Sequence, residues 1–282
     1  MGKAKFLLSV ALTVVGVALL AYFVPWREVA AALGEVPPAA LTLGLGLYAL
    51  SYLLRSLRWK FYYREVPFGI LFFTTAANTF LNNLLPARLG EGSIFLLLGR
   101  YDPSLKETLK KFLKVRLLDG FALLTLFVLS LVSVKAGPLW GLAAAAPVYP
   151  VGVLLLNALS VVHPKLPRLG FETLPFFLSL GALGAKLAAV YSVLHFLSVP
   201  FWVFAVGFLG GEISTVLPLH SLAGLGTYEA SFSAALKLFL GVDFKEGFKV
   251  AFVSHAFLLG ASALFGLLSL ALLAAVGRPG RS

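Results

Sequence analysis

Two short stretches of the sequence carry the side chains that could bind a polar ligand. The first, NNLLPARLGEGS at residues 82–93, places an arginine, a glutamate and two asparagines between strongly apolar segments. An arginine beside a helix N-terminus can hold a phosphate through charge-assisted hydrogen bonds and free backbone N–H groups. The second stretch, VLPLHSLAGLGTYEAS at residues 216–231, repeats the order of proline, glycine and glutamate. The two stretches therefore predict a site for a charged group.

Spacing identifies the candidate residues around these stretches. Thr74, Asn78 and Asn82 are four residues apart, so they share one helix face. Thr227 is suited to an N-cap, which would put Glu229 in the first turn of the following helix. The predicted substrate-binding residues are Asn78, Asn82, Asn83, Arg88, Glu91, Glu212, Thr227 and Glu229. The residues predicted to break the helices are Pro86, Gly90, Pro218, Gly224 and Gly226.

Several of these residues also have a structural interpretation. Glu91 could complement a helix dipole and pair with Arg88, and Glu229 could cap its own helix. Lys186 and Glu212 each lie inside an apolar segment. Their isolation favours a buried ion pair over the alternative, proton coupling through Glu212 or Glu229.

Other charged residues are expected to be structural. Arg116 and Asp119 are three residues apart on one helix face, which predicts a salt bridge between them. His255 is interpreted as a satisfied core residue, and Arg55 as a structural residue of its span. The basic run at 106–116 is interpreted as an amphipathic helix on the lipid surface.

The composition places the chain in a membrane. Of its 282 residues 60% are hydrophobic and only 12% are charged, against about a quarter in soluble domains. The chain has no cysteine, and its four histidines lie far apart, so we expect no metal site, no cofactor and no catalytic residues. The net charge of +11 is attributed to loops that face anionic lipid, and not to nucleic acid.

Apolar runs of sufficient length predict an all-α polytopic protein with six full spans. Two further apolar segments, 67–100 and 200–241, are interrupted by proline and glycine. The predicted spans are 6–24, 39–57, 115–136, 139–161, 174–198 and 248–276.

The distribution of lysine and arginine predicts the topology. Most of these residues fall on one side if both termini are cytoplasmic and 67–100 is a re-entrant hairpin. The segment 200–241 is then either a hairpin from the opposite face or two full spans. The halves 1–136 and 138–276 show the same order of elements in opposite orientation, as in an inverted repeat. We expect one membrane domain, 1–282, in the cytoplasmic membrane.

Four motifs resemble, in order and spacing, the lysylphosphatidylglycerol synthetase transmembrane-region family. They are RSLRW (55–59), NNLLPARLGEG (82–92), VRLLDG (115–120) and LPLHSLAGLGTYEA (217–230). The resemblance covers nearly the whole chain and implies a flippase-like membrane protein. By residue, it implies roles for Pro86, Arg88, Gly90, Glu91, Arg116, Asp119, Pro218, Gly224, Gly226 and Glu229.

The resemblance also implies a function. The best-known members carry an aminoacylated phosphatidylglycerol to the outer leaflet, and others accompany glycosyltransferases. The soluble aminoacyltransferase domain of the fused members is not expected here, so we expect a translocase and not an enzyme. The expected function is translocation of a charged-headgroup lipid, aminoacyl or polyprenyl-phosphate-linked. The alternative is a membrane enzyme subunit, or a scaffold, that acts with a glycosyltransferase or lipid-modifying enzyme.

Overall fold

The computed structural model describes residues 34, 36–85, 90–98, 101, 104–163, 168–194, 198–216 and 222–276, and this part of the chain is all-helical, as predicted. The helices are α1 (Pro38–Tyr62), α2 (Phe68–Leu84), α3 (Gly92–Leu98), α4 (Leu105–Ala136), α5 (Pro138–Ala145), α6 (Val148–Val162), α7 (Thr173–Val193), α8 (Phe201–Val216), α9 (Thr227–Leu240) and α10 (Phe244–Val276). A single 3-10 turn, Leu222–Gly224, precedes α9.

Five helical segments within the described residues are long and apolar enough to cross a membrane. They are α1, α4, α5 with α6, α7 and α10, and they match five of the predicted spans. The predicted span at 6–24 lies outside the described residues. The outer surface of the bundle is apolar, as a lipid-facing surface must be; exposed side chains include Leu43, Leu142, Leu154, Leu155, Leu267 and Leu268.

Two elements differ from the sequence prediction. The basic run at 106–116 is not a separate surface helix, because it forms the first turns of the 32-residue helix α4. Ser104 caps this helix by accepting a hydrogen bond from the Glu107 N–H at 3.3 Å, so the helix starts ahead of the charges. The predicted span 139–161 bends between α5 and α6, where Pro147 has no N–H to continue the helix.

Helices α2 and α3 form the first interrupted segment. Asn78 Nδ2 of α2 donates to the Gly90 carbonyl oxygen at 3.0 Å and to Ser93 Oγ at 2.9 Å, which joins the two helices. A Cβ on Gly90 would lie 2.3 Å from the Asn82 backbone nitrogen, so the chain can pass α2 here only with glycine. Pro86, the other predicted break, lies outside the described residues.

Helices α8 and α9 pair closely because α8 presents glycine to α9. A Cβ on Gly210 would lie 2.3 Å from Ala235 Cβ, and Gly207 contacts Phe232 in the same way. The connection before α9 uses Gly224 and Gly226 at φ values of 71° and 80°, the left-handed conformation that the sequence predicted for glycine. The predicted break at Pro218 lies outside the described residues.

The core lies where α1, α7, α8, α9 and α10 meet. The central helix pair is α1 with α7, α2 packs against α10, and α4 packs against both α7 and α8. The largest fully buried aromatic side chains are Tyr48, Tyr52, Phe204, Phe208, Tyr228, Phe232 and Phe248. This arrangement brings polar residues of α1, α2, α4, α7 and α8 to one interior surface.

The close approach of α8 and α9 can be tested with Gly210→Ala. We expect this change to destabilise the protein by about 1–3 kcal/mol, because the added methyl overlaps Ala235. Gly184→Ala in α7 is the matched control, since a Cβ there has nothing within 4 Å. Thermal unfolding in detergent micelles measures both changes, and equal melting temperatures for the two variants would contradict the packing.

Candidate functional site

A polar cavity of about 150 Å³ lies inside the helical bundle. This is the size of cavity that admits a benzene-sized group, so it can hold part of a ligand but not an acyl chain. Its walls come from α1, α2, α3, α4, α7 and α8. The lining residues are Arg55, Arg58, Trp59, Thr75, Asn78, Thr79, Asn82, Asn83, Ile94, Phe112, Val115, Arg116, Asp119, Leu123, Ser179, Leu183, Lys186, Glu212 and Thr215.

The Lys186–Glu212 ion pair expected from the sequence is formed and lines the cavity. Lys186 Nζ of α7 contacts both carboxylate oxygens of Glu212 of α8, at 2.7 and 2.8 Å. Both side chains are mostly shielded, with exposed fractions of 13% and 9%. Glu212 therefore has its charge balanced within the protein.

The predicted salt bridge between Arg116 and Asp119 is wrong. Asp119 pairs with Arg58 of α1, which is buried and also donates to Ser179 Oγ at 2.5 Å. Arg116 of α4 instead contacts Glu91, which precedes α3, with its Nη2 atom 2.7 Å from Glu91 Oε1. Packing between helices thus outweighs the local pairing of residues three apart.

Arg55 has a different environment from the one expected. It lines the cavity one helical turn before Arg58 and is half-buried. Within the part of the chain that the structure describes, no carboxylate lies within 4 Å of its guanidinium nitrogens. A cation that lines a shielded cavity without a carboxylate partner is costly, so Arg55 is a candidate to bind an anion. The three-residue spacing in RSLRW, which puts both arginines on one face, is the signal that could have identified this site.

Helix α2 gives the cavity a neutral polar wall. The predicted residues Asn78, Asn82 and Asn83 all line the cavity, together with Thr75 and Thr79. Asn83 Nδ2 donates to Ser262 Oγ of α10 at 3.0 Å, and Asn78 joins α2 to α3 as described above. Asn82 Oδ1 is buried and has no hydrogen-bond donor among the described residues. Arg88, predicted for the same site, lies outside the described residues.

No described residue of the second stretch lines this cavity. Glu229 is fully buried; its Oε2 accepts from the Gly226 N–H at 2.7 Å, and its Oε1 lies 2.8 Å from His255 Nδ1. Glu229 is in the first turn of α9, as predicted. Its contact with the Gly226 N–H agrees with the interpretation that Glu229 caps its own helix. Gly226 and not Thr227 is the N-cap, because Thr227 is already helical and its hydroxyl donates to the Gly224 carbonyl.

The two stretches nevertheless approach each other. The turn Leu222–Gly224 packs against α2, the helix that carries the neutral wall. The site therefore combines two ion pairs, one arginine without a carboxylate partner among the described residues, and an amide-rich helix, α2, that the turn Leu222–Gly224 contacts. Such a cavity can bind an anion and form hydrogen bonds to neutral groups.

The buried ion pair can be tested by removing one partner or both. Lys186→Met leaves Glu212 without a cation and should cost up to about 3–5 kcal/mol, whereas Lys186→Met with Glu212→Leu should restore most of the stability. Lys110→Met is the control, since Lys110 and Glu107 form an exposed pair that contributes little. Unfolding in mixed micelles measures the four proteins. A double variant as unstable as the single one would show that the pair is not balanced in this way.

Comparison with known proteins connects these observations to a family. No curated protein matches the chain. The family described as "Lysylphosphatidylglycerol synthase TM region" matches residues 6–266, which includes all helices of the cavity. The resemblance seen in the motifs is thereby confirmed, and the chain belongs to the lysylphosphatidylglycerol synthase transmembrane-region family.

Proposed function

We propose that the chain is a flippase that moves a lipid with a phosphate-containing headgroup between the leaflets of the cytoplasmic membrane. Membership of the family supports a lipid-related membrane function. The observation that carries the proposal is Arg55, a cation that lines an interior cavity with no carboxylate partner among the described residues. The lipid phosphate would be its counter-ion.

The cavity can lower the main barrier to lipid translocation. A charged headgroup loses its hydration in the hydrocarbon core, which costs several kcal/mol or more. The guanidinium of Arg55 would replace part of that hydration, because its planar N–H groups match two phosphate oxygens at once. The acyl or prenyl chains do not fit within about 150 Å³ and would stay in the lipid.

The proposal includes an inverted repeat in which the two halves enclose the cavity. The packing supports this arrangement, because equivalent helices of the two halves contact each other in the same way. The second helices of the halves, α1 and α7, pack together, while α2 of the first hairpin contacts α10 and α8 of the second contacts α4. Each hairpin thus packs against the last helix of the other half. Such symmetry would let the cavity face either leaflet in turn.

Helix lengths support two re-entrant hairpins beside six full spans. The 17 residues of α2 extend for about 25 Å and the seven of α3 for only about 10 Å. In the second hairpin, α8 has 16 residues and α9 has 14, or about 24 and 21 Å. All four are shorter than the roughly 30 Å hydrocarbon core. Helix length thus favours a re-entrant 200–241 over two full spans.

The proposal predicts that Arg55→Ala slows lipid flipping about 10- to 100-fold, the loss expected when a charge-assisted hydrogen bond is removed. Arg55→Lys, which keeps the charge but not the bidentate geometry, should fall between Arg55→Ala and wild type. The assay uses proteoliposomes with lipids fluorescently labelled on the tail and an impermeant quencher.

Lys110→Ala is the matched control, because it removes an exposed cation that is paired with Glu107 and does not line the cavity. Size-exclusion chromatography checks that each variant is folded. Wild-type flipping by folded Arg55→Ala would contradict the proposal. Absence of flipping by wild type would favour the enzyme-subunit or scaffold alternative.

A further inference from the structure

We infer that the transported headgroup is a phosphodiester linked to an uncharged polyhydroxyl group, such as glycerol or a sugar, and that headgroups carrying an amine are disfavoured. The inference rests on the proposed function and names the substrate class of the same cavity. It follows from the partners of the carboxylates, from the excess of cations and from the chemistry of α2.

A carboxylate is the strongest partner for an amine in a shielded cavity, and the carboxylates that line this cavity are already engaged. Asp119 pairs with Arg58, and both oxygens of Glu212 contact Lys186. An ammonium group that bound Glu212 would leave Lys186 buried without a partner, which is strongly unfavourable.

The two other glutamates predicted as binding residues are no more available. Glu91 does not line the cavity, and its Oε1 atom lies 2.7 Å from Nη2 of Arg116. Glu229 is fully buried between the Gly226 N–H and His255, and it does not line the cavity. None of these four carboxylates, Glu91, Asp119, Glu212 and Glu229, is thus available to an amine.

The charge of the cavity lining also disfavours an amine. Among the described residues, four cationic side chains and two carboxylates line the cavity. With Asp119 and Glu212 paired, the positive charge of Arg55 faces the cavity without a neighbouring carboxylate among the described residues. In a medium of low dielectric this charge attracts phosphate and repels ammonium.

Helix α2 supplies the chemistry for hydroxyl groups. Its lining residues Thr75, Asn78, Thr79, Asn82 and Asn83 are all neutral and polar. Amides and hydroxyls both donate and accept hydrogen bonds, as the hydroxyls of glycerol or a sugar do. The buried Asn82 Oδ1 has no donor among the described residues, and leaving such an acceptor unpaired is costly. A headgroup hydroxyl would satisfy it.

The test compares three lipids with identical labelled tails in wild-type proteoliposomes: phosphatidylglycerol, phosphatidylmethanol and lysyl-phosphatidylglycerol. Phosphatidylmethanol keeps the phosphodiester but has no hydroxyl. In the lysyl lipid, lysine is esterified to one hydroxyl of the same glycerol, so the headgroup gains amines and keeps one free hydroxyl. We expect phosphatidylglycerol to flip about tenfold faster than either of the others.

Two variants of Asn82 test whether this residue recognises the hydroxyl groups of the headgroup. Asn82→Leu should bring the rate ratio of phosphatidylglycerol to phosphatidylmethanol close to one, which a loss of stability alone would not do. Asn82→Asp adds a carboxylate and should raise the relative rate of the lysyl lipid. Thr42→Val, on an exposed turn of α1 away from the cavity, is the control and should keep the wild-type ratios.

The outcomes separate the inference from the proposed function. If wild type flips the lysyl lipid as fast as phosphatidylglycerol, the inference is overturned and the flippase proposal stands. If phosphatidylmethanol flips as fast as phosphatidylglycerol, the requirement for hydroxyls is overturned. If folded wild type flips none of the three lipids, both the inference and the proposed function fail. The flipping rates of the three lipids by wild type test the inference even if an Asn82 variant does not fold.

Discussion

The cost of an unpaired charge in an apolar interior is the constraint on which the rest of this structure depends. Each carboxylate that lines the cavity is matched by a cation on another helix: Asp119 of α4 by Arg58 of α1, and Glu212 of α8 by Lys186 of α7. These pairs tie together the helices that enclose the cavity. Because a lone member of such a pair is strongly unfavourable, the helices can separate only if the charges find new partners. Arg55 differs from these residues, because no carboxylate among the described residues pairs with it.

The repeated order of proline, glycine and glutamate serves two different purposes. In the first stretch, Glu91 contacts a guanidinium, that of Arg116. In the second, Glu229 is removed from the cavity and holds the turn before α9 by accepting from the Gly226 N–H. The turn so fixed packs against α2. One stretch thus contributes residues to the cavity directly, and the other contacts α2, the helix that supplies the neutral polar residues of the cavity.

The sequence predicts the features that depend on local pattern. Apolar length locates the spans, and the isolation of Lys186 and Glu212 in apolar segments predicts their pairing. Features that depend on which helices meet could not be predicted. Asp119 had a local candidate three residues away, and only the packing of α1 against α4 shows that Arg58 is its partner. Arg55 was predicted to be structural for the same reason, since only the fold shows that no carboxylate among the described residues pairs with it.

The division of the cavity into charged and neutral walls has a consequence for specificity. A change at Arg58, Asp119, Lys186 or Glu212 removes one member of an ion pair, and so acts on stability as well as on binding. The cavity residues of α2 carry no charge, so a change there leaves every pair intact. The uncharged part of a headgroup is therefore the part whose recognition can vary without loss of the fold. Arg55, which would bind the proposed phosphate, lies on α1 beside Arg58, so that contact would belong to a helix that the ion pairs hold in place.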